Sequence, residues 1–167
     1  GEPGAPTRLY VQDVEGGSPR PFGPEGAVFA AGAAVPVSPD GRLVLAARAD
    51  GSTWIQPLDG GEAAPVAGLE PDERVVGWAE GNGLFAVSAA SLPARLVRLD
   101  PATGARRPAG EIWPPDPAGV VSVGPILVRP DGASLVYGCP QILSDLYVVD
   151  GLREAGSRPR PAPAAAK

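Results

Sequence analysis

The sequence predicts an all-β chain built from repeated four-stranded antiparallel units, and three observations predict it. A hydrophobic stretch ending in aspartate recurs four times, as Leu9-Tyr10-Val11-Gln12-Asp13, Trp54-Ile55-Gln56-Pro57-Leu58-Asp59, Leu96-Val97-Arg98-Leu99-Asp100 and Leu146-Tyr147-Val148-Val149-Asp150. The terminal aspartates lie 46, 41 and 50 residues apart, a period that falls in the range of propeller blades. Asp-Gly or Asn-Gly turns precede three of these stretches, each between apolar runs, and such dipeptides are strong hairpin markers. Glycine and proline, 23 and 22 of the 167 residues, are scattered between short apolar segments, which suits many tight turns better than long helices.

In chain order, the stretch ending at Asp13 is a third strand. The Gly16-Gly17 turn leads from it to an edge strand containing Pro21. Proline cannot donate to a ladder, so a recurring proline marks an outermost strand. The next unit has an inner strand at Ala34-Val35-Pro36-Val37, a turn at Ser38-Pro39-Asp40-Gly41 and a second strand at Leu43-Val44-Leu45. Its third strand ends at Asp59, and its edge strand carries Pro65. The following unit repeats the order: Arg74-Val75-Val76-Gly77-Trp78, the turn Glu80-Gly81-Asn82-Gly83, Leu84-Phe85-Ala86-Val87, the strand ending at Asp100, and an edge with Pro108. Asn82 and Gly83 are expected to take the two positive-φ positions of that turn. The last unit has Gly124-Pro125-Ile126-Leu127-Val128, the turn Arg129-Pro130-Asp131-Gly132, Leu135-Val136-Tyr137 and the strand ending at Asp150. Only a weak edge near Ser157-Arg158-Pro159 follows it. Trp54 and Trp78 sit within strands and are expected in the core.

The fold class predicted is therefore all-β, a partial β-propeller of about three and a half four-stranded antiparallel blades. Residues 1–32 hold the third and edge strands of an incomplete blade plus a linker, 33–72 a blade, and 73–122 a blade with a long connecting loop. Residues 123–152 form a blade without a clear edge strand, and 153–167 a Pro/Ala-rich tail expected to be disordered. Propellers close with four to eight blades. The missing blades are thus expected either in further sequence of a longer protein or in a second copy, two copies together making a ring of about seven.

Composition removes several functions. There is no histidine, so the common nucleophile and base pairs of hydrolases cannot form within the chain. One cysteine, Cys139, supports neither an intramolecular disulfide nor a zinc site. Asp13, Asp50, Asp59 and Asp116 lack the spacing of a calcium loop, and no phosphate-binding glycine loop joins a strand to a helix. The aspartates at turns and strand ends, Asp40, Asp59, Asp100, Asp131 and Asp150, are accounted for by turn capping, which is what this side chain does best. No metal, no cofactor and no catalytic residue is expected. With a net charge of −5 and no basic stripe, nucleic acid is not an expected partner. No apolar stretch is long enough for a membrane-spanning helix.

Ser38-Pro39-Asp40-Gly41 and Arg129-Pro130-Asp131-Gly132, each followed by an apolar strand and then a strand of the Leu-Tyr-Val-Val-Asp kind, resemble the WD40-like repeats of TolB-type bacterial propellers. Glu80-Gly81-Asn82-Gly83 departs from that pattern, so the middle repeat rests on spacing. The resemblance covers about 7–152. It implies a bacterial periplasmic or extracellular setting, with a cytoplasmic one compatible with the single cysteine.

The expected role is a non-catalytic binding or protein–protein interaction module. The alternatives are a sensor or gating segment of a larger bacterial enzyme (a Ser/Thr kinase or a prolyl-oligopeptidase-like hydrolase) and a structural subunit of an assembly. In a propeller, the loops from edge strand to next inner strand and from second to third strand gather on one face. Trp113, Pro114, Leu92, Gln141, Ile142 and Leu143 fall in such loops, and they are the candidate binding residues; the alternative reading is that Trp113 covers an exposed sheet edge and Ile142-Leu143 packs under its own loop. The expected partner is another protein, the remaining blades of the same propeller, or a second copy.

Overall fold

A computed structural model describes residues 7–30, 36–48, 50–144 and 148. The chain is all-β: twelve strands and one short 3-10 turn are found among the described residues, with no α-helix. Consequently no helix there is long and apolar enough to cross a membrane.

The strands form four antiparallel sheets taken in chain order. β1 (Leu9–Val11) pairs with β2 (Arg20–Phe22). β3 (Val28–Phe29), β4 (Leu43–Ala47), β5 (Thr53–Pro57) and β6 (Ala64–Pro65) make the second sheet in that order. β7 (Glu73–Trp78), β8 (Leu84–Ser88), β9 (Ala94–Leu99) and β10 (Arg106–Ile112) make the third. β11 (Ile126–Val128) and β12 (Leu135–Tyr137) form the last pair. Pro21, Pro65 and Pro108 all lie on outermost strands, where a missing N–H leaves no ladder bond unmade. The register of β10 shifts between Pro108 and Gly110, a bulge that also blunts this exposed edge.

Three hydrophobic cores lie in series, one at each contact between successive sheets. Leu9 and Phe22 meet Val44 and Ala46. Leu45 meets Val75, Trp78, Leu84 and Leu99. Val76, Phe85, Val87, Leu96 and Ile112 meet Val123 and Ile126. The alternation of β-strands explains the division: Val44 and Ala46 point to one side of their sheet and Leu45 to the other. Both faces of the two middle sheets are therefore covered, and β8, central in its sheet, is apolar over Leu84, Phe85, Ala86 and Val87.

Equivalent turns are stitched to one another. The Asp40 carboxylate accepts a hydrogen bond from Asn82 Nδ2 at 2.8 Å, and Glu80 N–H donates to Pro130 O at 2.8 Å. Asp40 also accepts from the Ser38 hydroxyl and from Arg42 N–H. The Asn82 amide, then these two donors, lower its pKa to about 2. A second clasp holds the linker between the middle sheets. From β10, Arg106 reaches across the sheet to the buried Glu73 carboxylate of β7 with two bonds of 2.6 and 2.9 Å, and it donates to Gly68 O at 2.6 Å. The hydrogen bonds from Arg106 hold the Glu73 carboxyl below its ordinary pKa, outweighing the cost of burial.

Several expectations change. Of the inner strand expected at 34–37, only Pro36 and Val37 are described, and they lie beside β4. β3 pairs with Ala46 and Ala47, and only Val37 bridges to Val44, while Pro36 contributes its carbonyl to Leu45 N–H and Trp78 Nε1. Proline has no N–H for a ladder, so Val28 and Phe29, upstream of the expected blade boundary, supply the paired backbone. Residues 31–35 lie outside the described residues. In the middle turn, positive φ falls on Gly81 and Asn82, and Gly83 is extended. At the Pro-Asp-Gly turns only Gly41 and Gly132 are left-handed, with Gly41 N–H bonding Ser38 O and Gly132 N–H bonding Arg129 O. These are four-residue loops built on a turn with proline at its second position, not two-residue Asp-Gly turns. Trp78 is buried, but Trp54 is only half-buried beneath the Arg48 guanidinium, 3.8 Å from the ring centroid. The strand expected at 146–150 (apart from Val148, which is exposed), the edge near 157–159 and the 153–167 tail lie outside the described residues.

Candidate functional site

The expected binding loops meet at the end of the third sheet. β10 finishes at Ile112, which is buried opposite Ala94, so the chain leaves the sheet beside the turn holding Leu92 and Pro93. Trp113 follows, its side chain 59% exposed and its carbonyl accepting a hydrogen bond from the Tyr137 hydroxyl at 3.2 Å. The loop turns at Asp116, whose carboxylate accepts Ala118 N–H at 2.9 Å. It then runs back alongside residues 140–142. Gln141 Nε2 donates to Asp116 O at 2.8 Å, Ile142 N–H to Gly119 O at 2.8 Å, and Val121 N–H to Pro140 O at 3.1 Å. Val120 and Gln141 form an antiparallel bridge.

This pairing needs Gly119. Its φ is +69°, and a Cβ there would overlap the carbonyl oxygen of Ile142. Glycine satisfies both the left-handed backbone and the close approach. Two loops 19 or more residues apart in sequence thus become one surface whose backbone polar groups largely bond each other, leaving Trp113, Val121, Ile142 and Leu143 exposed.

Four of the six expected residues, Trp113, Gln141, Ile142 and Leu143, come together in this surface. Pro114 belongs to the same loop but is buried. Leu92 is half-buried and packs against the core of β7 to β12, so it supports the surface from beneath and does not join it. Sequence reasoning missed Val121 and Gly119. The Ala118-Gly119-Val120-Val121 run was the available signal, a glycine before a short β-branched pair.

A concavity of about 830 Å³ lies across the turn end of the third sheet, lined by Leu43, Ile55, Phe85, Arg98, Asp100 and Arg107 among others. Its polar groups are largely committed. Arg98 donates to Glu80 O at 2.7 Å, and Asp100 accepts Ala102 and Thr103 N–H groups, which lower its pKa. Asp131 pairs with Arg129 and caps its own turn. Asp40 and Asp59 likewise accept from the N–H two residues on; Asp150 lies outside the described residues. No cluster of three or more potential metal ligands occurs among the described residues, and Cys139 is half-buried.

No protein-family model, curated protein or solved structure matches the chain.

Proposed function

We propose that the chain is a non-catalytic binding module, a run of propeller-type blades of the TolB-like kind that offers the surface of Trp113, Val121, Ile142 and Leu143 to another protein. The observation that carries this reading is the paired-loop surface itself. Apolar side chains are held out to solvent on a backbone already fixed by its own hydrogen bonds. A large aromatic on a pre-ordered loop loses little entropy on binding, which is what an interface hot spot requires. The absence of histidine and the commitment of the turn carboxylates to backbone N–H groups support a recognition role over an acid–base one.

A random-peptide display library panned against the chain tests the proposal, with the double variant W113A/L143S as the comparison. Selected peptides should bind the double variant at least about tenfold more weakly, the equivalent of about 1.4 kcal/mol, while the circular dichroism spectrum is unchanged. Peptides that bind both proteins equally would place recognition elsewhere.

A further inference from the structure

Asn82 is the one asparagine among the 167 residues, and a glycine follows it. It stands in the short 3-10 turn between β7 and β8 with a φ of +57°, and its side-chain amide donates to the Asp40 carboxylate of the preceding sheet's turn at 2.8 Å. Asn82 and Gly83 both line the concavity of about 830 Å³ at this end of the sheet. Water therefore reaches the amide, and the side chain has room to swing. An asparagine amide is open to attack by the backbone nitrogen of the next residue through a five-membered ring. Glycine, without a Cβ, obstructs that nitrogen least.

We propose that Asn82 is a deamidation site, that its bond to Asp40 sets the rate, and that the conversion is a one-way opening of the stitch between the second and third sheets. In the first step the Gly83 nitrogen bonds Asn82 Cγ, the Cγ–Nδ2 bond breaks, and ammonia leaves with the proton that the Gly83 nitrogen gives up. Water then adds to the cyclic imide. Opening at Cγ restores the backbone and leaves aspartate. Opening at the main-chain carbonyl leaves isoaspartate, with the chain running through the former side chain.

Ring closure requires the Asn82 amide to leave Asp40 and fold back on its own backbone, so the bond between the sheets holds the reaction back. A three-residue 3-10 turn has poor hydrogen-bond geometry and opens more readily than the core strands beside it, so the folded chain still reacts. Either product replaces a donor with a carboxylate facing Asp40, and both groups are ionised at neutral pH. An attraction between the two turns becomes a repulsion. This site does not rest on the Trp113 surface, which lies at the opposite end of the third sheet.

Incubation of the full chain at mildly alkaline pH, followed by intact mass and by mapping of the tryptic peptide 75–95, tests the proposal. Conversion should appear at Asn82 as exchange of an amino group for a hydroxyl, severalfold more slowly than in the free 75–95 peptide. Asp40→Ala should raise the rate severalfold toward that of the peptide. Ser38→Ala weakens the same turn but leaves the Asp40 bond to Asn82 in place, and it should keep the wild-type rate. Gly83→Ala should suppress the reaction without disturbing the fold, because Gly83 has a φ of −69° and a Cβ there meets nothing nearer than Leu99 O at 3.4 Å. The denaturation midpoint of the converted chain should fall at least as far as Asn82→Asp lowers it. A folded chain that stays unconverted overturns the proposal. So does conversion confined to a glutamine, an unchanged rate in Asp40→Ala, or a converted chain as stable as the starting one.

Discussion

Gly119 and Arg106 show how single residues govern the molecule. A Gly119→Ala change adds a methyl group where the backbone is left-handed and the Ile142 carbonyl is in contact. The expected result is a loss of about 1 to 3 kcal/mol from strain and from broken loop pairing, read as a lower thermal midpoint and faster hydrogen exchange at Ile142. Arg106→Met strands the buried Glu73 carboxylate, and removing one partner of such a pair is costly. With Arg106 partly exposed, about 2 kcal/mol is expected. The pH dependence has a definite sign. The pKa of Glu73 is depressed in the folded protein, so the pair stabilises above the ordinary carboxylate pKa and the benefit fades as pH falls through the depressed value. Urea melts of wild type and Arg106→Met should therefore differ most near neutrality and converge in acid, and the double change E73Q/R106M should recover part of the loss.

At the scale of the element, hairpin turns do more than reverse the chain. Asn82 takes positive φ and its amide holds Asp40 of the preceding sheet's turn. Asn82→Gly keeps the backbone conformation and removes only that amide. The Asp40 pKa, lowered to about 2 chiefly by this bond, should then climb toward its ordinary value in an NMR titration. The hairpins themselves were legible from sequence because Pro-Asp-Gly and Gly-Asn-Gly stand between apolar runs. Their geometry was not, since the positive φ moved from Gly83 to Gly81 and the Asp positions kept negative φ. The bulge at Val76 in β7 was also hidden. The register skips from Val75 to Gly77, which turns Val75 and Trp78 to the same core; a strict alternation would have separated them.

On the scale of the whole molecule, each core joins only two successive sheets, so stability is transmitted from neighbour to neighbour. Phe85, closed in on both sides, should cost about 3 to 5 kcal/mol when replaced by alanine, measured by chemical denaturation. Amide exchange should be slowest along β8, and the terminal hairpins β1–β2 and β11–β12 should open first. By itself the sequence determined that the chain is all-β, that its strands come in a repeated order, and that prolines sit on outer strands, because alternation, turn chemistry and the missing proline N–H are local properties. It also placed Trp113, Ile142 and Leu143 in loops, leaving open whether they face solvent or pack beneath their own loops. Only the tertiary structure decided that Val28 and Phe29 pair with Ala47 and Ala46, that Leu92 and Pro114 sink beneath the loop surface, and that Val136 and Tyr10 are left open. Those outcomes depend on which sheet lies against which, and packing across dozens of residues leaves no trace in the neighbouring sequence.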